Sequence, residues 1–166
     1  NVRPLVALVS LATRDVFVAG KWISVVSAAL AGLLAFLLCA RLFGYWAGVG
    51  AQLILLVSGP FPTFALSAST DIVFLLLCLA ALLCFLHDRP LARWRVAAAG
   101  AVTGAAYLVR YNGIFLVPPF LLAILFLNVF GVGWRKRIEL AALLLTVTLI
   151  TVAPWLYLNY RYNGSP

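Results

Sequence analysis

The sequence carries little charge. Only 10% of its 166 residues are charged and four are acidic, whereas 66% are hydrophobic. Soluble domains usually carry roughly 25% charged residues, and a soluble chain with so few charges would expose large apolar patches. The shortage of charge therefore excludes an ordinary soluble domain and predicts an integral membrane protein.

Other absences limit the chemistry. The sequence has no methionine and begins with neither a signal peptide nor a basic leader, so we expect a part of a longer membrane protein, with residues missing before residue 1 and after residue 166. It has no Gly-rich phosphate loop, metal-spaced His pair or nucleophile elbow. Cys39, Cys78 and Cys84 lie inside apolar runs without metal-ligand spacing, which predicts packing or lipid-facing roles.

The apolar runs between the charges predict an all-α fold, a polytopic transmembrane helix bundle. A helix needs about 20 apolar residues to cross the ~30 Å hydrocarbon layer. The segment Ser58-Gly59-Pro60, with Pro62, breaks the long uncharged stretch that follows residue 42. We predict one transmembrane domain over residues 1–166 with about six spanning helices, at 22–42, 45–59, 71–86, 95–110, 114–131 and 139–159.

The basic residues predict the orientation of these spans, because cytoplasmic loops are enriched in Lys and Arg. If the spans alternate, the predicted cytoplasmic side receives Arg41, Arg89, Arg93, Arg95, Arg135, Lys136 and Arg137. The opposite, outer side receives Arg3, Arg14, Asp15, Lys21, Asp71, Arg110 and Arg161. This outer side is unexpectedly basic, which points to a functional face.

Asp71 and Arg110 lie at the outer ends of two short predicted spans. At 1.5 Å per residue these spans are roughly 24–25 Å long, less than the ~30 Å layer, so both residues are expected slightly below the outer surface. Ionisable groups at that depth are costly unless they are paired or face a wet cavity, and they indicate function. The alternatives are that Asp71 only caps a helix after Ser69-Thr70, and that Arg110 is a snorkelling anchor.

Two further patterns concern helix ends and helix packing. The tetrapeptide Arg-Tyr-Asn-Gly occurs at residues 110–113 and 161–164, each time after an apolar run that is predicted to end on the outer side. Asn and Gly accept the left-handed conformation that stops helices, so both copies are interpreted as helix stops rather than as a duplication. Gly100 and Gly104, four residues apart, predict close packing against another helix.

Several short motifs follow one another in a characteristic order. They are an inner Arg-Leu-Phe-Gly at 41–44, an outer Thr-Asp at 70–71, the Val-Arg-Tyr-Asn-Gly at 109–113, and a Pro-Trp at 154–155 followed by Asn-Tyr at 159–160. In this order the chain, from about Pro4 to Tyr160, resembles the membrane glycosyltransferases of the GT-C fold. The nearest resemblance is to the protein O-mannosyltransferase-like and aminoarabinose-transferase-like enzymes. Leu158 stands where the family has Arg, and Val2-Arg3-Pro4-Leu5 only partly matches its Pro-Pro motif.

The resemblance implies transfer of a sugar, with inversion, from a polyprenyl-phosphate donor at the outer leaflet to a protein, lipid or glycan acceptor. It places the leading acidic residue in a loop before the matched region. Asp71 then matches the second catalytic acidic position, which is expected to help orient the acceptor or, in members that use one, a divalent metal. The expected lipid-phosphate contacts are Arg110, Arg3 and Arg161, and the expected substrate-site lining is Thr70, Tyr111, Asn112 and Asn159.

Elementary chemistry favours the same assignment. Arg binds phosphate well, cations stabilise a phosphate leaving group, and a carboxylate can accept the proton of an acceptor hydroxyl.

A transporter or flippase of a lipid-linked or anionic substrate is an alternative, and a non-catalytic membrane scaffold subunit is another. We expect a location in the bacterial inner (plasma) membrane with the active face outward, the bilayer as a partner, and no nucleic-acid partner.

Overall fold

The structure is a computed structural model and describes residues 15–86, 92–126 and 133–163. Every regular element within these ranges is helical, which confirms the predicted all-α helical bundle. The elements are α1 Val16–Phe43, α2 Tyr45–Val57, α3 Pro60–Leu66, α4 Thr70–Leu86, α5 Arg93–Val109, a 3₁₀ helix Tyr111–Leu116, α6 Val117–Phe126 and α7 Trp134–Asn163. Arg3, Arg14, Arg89 and part of the predicted span 114–131 lie outside the described residues.

The helices are apolar enough for a membrane protein. Among those described, α1 and α7 are long and apolar enough to cross a membrane. The consecutive helices α2 and α3 meet at a bend of 68° and can make a third, broken span. Helix α4 and the segment Tyr111–Phe126 are apolar but shorter. The chain is thus an integral membrane protein, and the number of six spans stays a prediction.

The chain divides after Leu79 into two compact units, and the first is built on a helical hairpin. Gly44 joins α1 to α2 with φ at 98°, a conformation that favours glycine, and its N–H donates to the Ala40 carbonyl at 2.9 Å. A Cβ atom added at Gly48 would lie 2.9 Å from the Phe36 carbonyl oxygen. The absence of a side chain at Gly48 lets α1 and α2 pack closely.

Helix α3 is a short element that the sequence analysis did not predict. Pro60 lies in its first turn, where the missing N–H of proline costs no hydrogen bond. The break before it at residues 58–59 agrees with the predicted Ser-Gly-Pro interruption. Helix α3 packs on α1, and the linker after it bonds to α1 through Ser24 and Ser69.

The second unit is organised by the packing of α5 on α7. The side-chain pair Arg93–Glu139 and the hydrogen bond from Thr148 to the Gly100 carbonyl join residues that are 46 and 48 positions apart. This nearly constant offset means that the two helices run in the same direction. A Cβ atom at Gly104 would lie 2.7 Å from Thr151 Cβ. The predicted close packing at Gly100 and Gly104 is confirmed.

Helix α6 follows α5 in the chain and runs back in the opposite direction, packed on α7. Its C-terminal Leu125 carbonyl accepts a hydrogen bond from Arg137 Nη1 at 3.1 Å, near the start of α7. The rings of Phe85 and Phe120 stack with their centroids 4.6 Å apart. The buried core of the unit consists of Ala81, Phe85, Val96, Ala99, Phe120, Ile124, Leu140, Ala141 and Leu144.

Candidate functional site

Arg110 lies directly after the last residue of α5. Its backbone is extended, with φ −142° and ψ 130°, and its N–H donates to the Ala106 carbonyl at 2.9 Å. The Arg110 carbonyl accepts a hydrogen bond from the Gly113 N–H, also at 2.9 Å. The predicted left-handed stop at Asn112-Gly113 is wrong, because Gly44 is the only described glycine with positive φ. The helix ends instead in an extended residue followed by a 3₁₀ turn.

Most of the predicted site residues of the second unit lie at one end of it. The offset between α5 and α7 places Arg110 level with residues 156–158 of α7, immediately before Asn159. Asn112 and Asn159 are half-buried, whereas Tyr111 is 73% exposed and Arg161 is also exposed. One turn deeper, the rings of Tyr107 and Trp155 make an edge-on contact with centroids 6.1 Å apart.

The opposite end of the same unit is strongly basic. Glu139 pairs with Arg93 at 2.7 Å on the surface, and the Arg95 guanidinium lies 4.7 Å from the centroid of the Trp94 ring. The basic residues at the starts of α5 and α7 are Arg93, Arg95, Arg135, Lys136 and Arg137. This grouping matches the predicted cytoplasmic group, so the Arg110 end is the one predicted to face outward.

In the first unit, Asp71 lies in the opening turn of α4 and belongs to a capping network. The Asp71 N–H donates to Ser69 Oγ at 3.1 Å, and Ser69 Oγ donates to Asp71 Oδ2 at 3.0 Å. The Ser69 N–H donates to Ser24 Oγ of α1 at 3.0 Å, and Ser24 Oγ donates to the Ser69 carbonyl at 3.3 Å. Asp71 is therefore linked through Ser69 to α1. In these bonds the Ser69 hydroxyl caps the start of α4, and the Asp71 carboxylate accepts from that hydroxyl.

A cavity of about 450 Å³ opens beside this network within the first unit. Its size is that of a small-molecule pocket. Asp15, Phe17, Ser24, Ser69 and Thr70 are among its lining residues. Asp15 caps α1 by accepting a hydrogen bond from the Phe17 N–H at 2.8 Å.

Sequence analysis did not select Asp15 or Ser24 as site residues. An Asp immediately before a long apolar run is an N-cap signature, so the position of Asp15 was recognisable. Ser24 is a lone hydroxyl in an apolar run, and only the fold reveals its contact with Ser69.

Two predicted site residues remain, Thr70 and Arg3. Thr70 is exposed and lines the cavity near Asp71, and Arg3 lies outside the described residues. Within residues 15–86, 92–126 and 133–163, no three His, Cys, Asp or Glu side chains are grouped so that they could hold a metal ion.

Comparison with known proteins decides the family. The family model for dolichyl-phosphate-mannose-protein mannosyltransferases matches residues 5–158, most of the sequence. The chain belongs to this family. Neither the comparison with curated proteins nor the comparison with solved structures gave a match. Membership confirms the GT-C mannosyltransferase resemblance and indicates a membrane glycosyltransferase, which favours an enzyme over a transporter or a scaffold subunit.

Proposed function

We propose that this protein transfers a sugar from a polyprenyl-phosphate-linked donor to an acceptor at the outer face of a bacterial inner membrane. Family membership supports the reaction class. The observation that carries the proposal is the position of Arg110. It is fixed at the end of α5 with Tyr111 and Asn112 beside it, at the end of the second unit opposite the basic starts of α5 and α7.

Arg110 is proposed to bind the donor phosphate. A guanidinium can form two parallel charge-assisted hydrogen bonds with phosphate oxygens. The two backbone hydrogen bonds of Arg110 fix the point from which its side chain leaves the helix. As the bond between the sugar and the phosphate breaks, negative charge builds on the phosphate, and a fixed cation stabilises that charge. Arg161 and Arg3 are further proposed phosphate contacts, and Asn159 is proposed to line the same region.

Asp71 is proposed to act on the acceptor. In the reaction, the acceptor hydroxyl oxygen forms a bond to the anomeric carbon, and the bonding electrons between that carbon and the phosphate oxygen leave with the phosphate. The acceptor proton is transferred to a carboxylate. Asp71 can orient this hydroxyl or receive its proton, because its side chain is fixed by Ser69. Thr70 lies beside it and faces the cavity.

The role of Arg110 is tested by Arg110→Ala in the full natural polypeptide. A hydrogen bond to a charged group contributes about 1.5–3 kcal/mol, so kcat/KM for the polyprenyl-phosphate donor should fall about 10- to 100-fold. Arg135→Ala is a matched control, because it removes an exposed Arg from the opposite end of the same unit. An unchanged donor kcat/KM in Arg110→Ala would refute the proposed phosphate contact.

The role of Asp71 is tested by Asp71→Asn, which keeps the shape of the side chain and removes its basicity. General acid–base catalysis contributes typically 10²- to 10⁴-fold, so kcat should fall by about that factor while the donor KM changes little. The control is Glu139→Gln, which removes an exposed carboxylate near the start of α7 in the same way. Full sugar transfer by Asp71→Asn would exclude the assigned role.

A further inference from the structure

The turn that follows Arg110 is anchored at a single buried residue. Of the six residues in the 3₁₀ helix Tyr111–Leu116, only Gly113 is buried. The neighbouring Tyr111, Ile114 and Phe115 are exposed. The Gly113 N–H also provides the hydrogen bond to the Arg110 carbonyl. Gly113 is therefore the point at which the turn is attached to the end of α5.

Gly113 is required at this point for space and not for backbone conformation, because its φ is not positive. A Cβ atom added there would lie 2.6 Å from the Ala106 carbonyl carbon and 2.7 Å from Tyr107 Cα, and would collide with the Tyr107 amide nitrogen. These are backbone atoms in the last turns of α5, so no side-chain rotation can relieve the contact. Ordinary carbon–carbon contacts are about 3.5–4.0 Å, and any Cβ must therefore push the turn away by about 1 Å.

We propose that Gly113 is a positioning residue for Arg110, holding the guanidinium where it meets the phosphate of the lipid-linked donor. The inference rests on the proposed function. Displacement of the turn stretches the hydrogen bond between Gly113 and the Arg110 carbonyl, and the extended Arg110 residue moves with it. A displacement of about 1 Å of a group in an active site can lower the reaction rate by as much as 10²-fold. Gly113→Ala should therefore lower donor kcat/KM about tenfold or more.

The test is a double-mutant cycle with Gly113→Ala, Arg110→Ala and the double variant, measured in the full natural polypeptide. If Gly113 acts through Arg110, the two changes are strongly non-additive. The expected result is an approximately tenfold or larger loss of donor kcat/KM from Gly113→Ala in the wild-type background and a loss below about twofold in the Arg110→Ala background. The acceptor KM should stay within about twofold in both backgrounds.

Two other glycines supply the controls. A Cβ atom at Gly50 in α2 meets nothing within 4 Å, whereas a Cβ atom at Gly104 presses on α7. Gly50→Ala should leave donor kcat/KM unchanged. Gly104→Ala should lower the thermal midpoint of unfolding but leave donor kcat/KM largely unchanged. This control separates a loss of helix packing from a displacement of Arg110. Should Gly113→Ala not fold, Ile114→Gly loosens the same turn without adding an atom, and a smaller donor-specific loss is expected.

The outcomes separate the two proposals. Equal losses from Gly113→Ala in both backgrounds, or no loss in either, overturn the positioning role while the phosphate contact stands. If Arg110→Ala itself leaves donor kcat/KM unchanged, the proposed phosphate contact fails, and the positioning role fails with it.

Discussion

Alanine at Gly104 should separate α5 from α7 and destabilise the second unit. The added Cβ would lie 2.7 Å from Thr151 Cβ, about 1 Å inside ordinary carbon–carbon contact. It would also lie 3.1 Å from the Thr148 carbonyl oxygen. Moving the helices apart by that amount also lengthens the 3.1 Å hydrogen bond from Thr148 Oγ1 to the Gly100 carbonyl.

Three contributions set the expected change in the free energy of unfolding, two of them destabilising and one stabilising. Overpacking a well-packed interface costs typically 1–3 kcal/mol, and an interhelical hydrogen bond in a membrane protein contributes about 0.6 kcal/mol. Replacing Gly by Ala at a position without strain stabilises by about 0.4–1 kcal/mol. The net expectation is a destabilisation of roughly 1–3 kcal/mol, because the steric cost and the lost hydrogen bond outweigh the gain in helix propensity.

The assay is thermal unfolding in detergent, followed with a dye that becomes fluorescent when it reacts with thiols. Cys39, Cys78 and Cys84 are free and half-buried, so they react faster as the protein unfolds. Gly50→Ala is the matched control, because its Cβ enters open space, and its midpoint should equal or exceed that of the wild type. A Gly104→Ala protein as stable as Gly50→Ala would refute the close packing of α5 on α7.

Two further stability predictions concern buried hydroxyls. Ser24→Ala should destabilise by about 1–3 kcal/mol, because it leaves the Ser69 N–H without the partner it has at 3.0 Å; an unchanged thermal midpoint would contradict this. Thr103→Val should be neutral or stabilising in the same assay, because Thr103 Oγ1 is buried without a hydrogen-bond partner and replacing it removes that cost. A clear loss of stability in Thr103→Val would contradict an unpartnered hydroxyl.

Sequence analysis predicted the features that depend on local composition. The long apolar runs predicted the all-α membrane fold, and the Ser-Gly-Pro segment predicted the break after Val57. The spacing of Gly100 and Gly104 predicted the packing of α5 on another helix. Each of these follows from hydropathy or from steric properties of a few neighbouring residues. The family resemblance, which rests on the order of short motifs, is confirmed by the family match.

The features that were missed depend on contacts between distant segments. The Asn112-Gly113 pair was interpreted as a left-handed stop, because local statistics favour that conformation. In the fold, Gly113 is needed instead because α5 backbone atoms lie where its Cβ would be. Likewise, the contact between Ser24 and Ser69 joins residues that are 45 positions apart, and no local pattern indicates it.

The proposed roles of Arg110 and Asp71 require that the donor be used from one defined face of the membrane. The most direct measurement is sugar transfer in sealed vesicles with uniformly oriented protein, supplied with the polyprenyl-phosphate donor in only one leaflet. Transfer is predicted when the donor is in the leaflet at the Arg110 end, and no transfer is predicted when it is in the leaflet at the Arg135 end. Transfer only from the Arg135 leaflet, or from neither leaflet, would contradict the account.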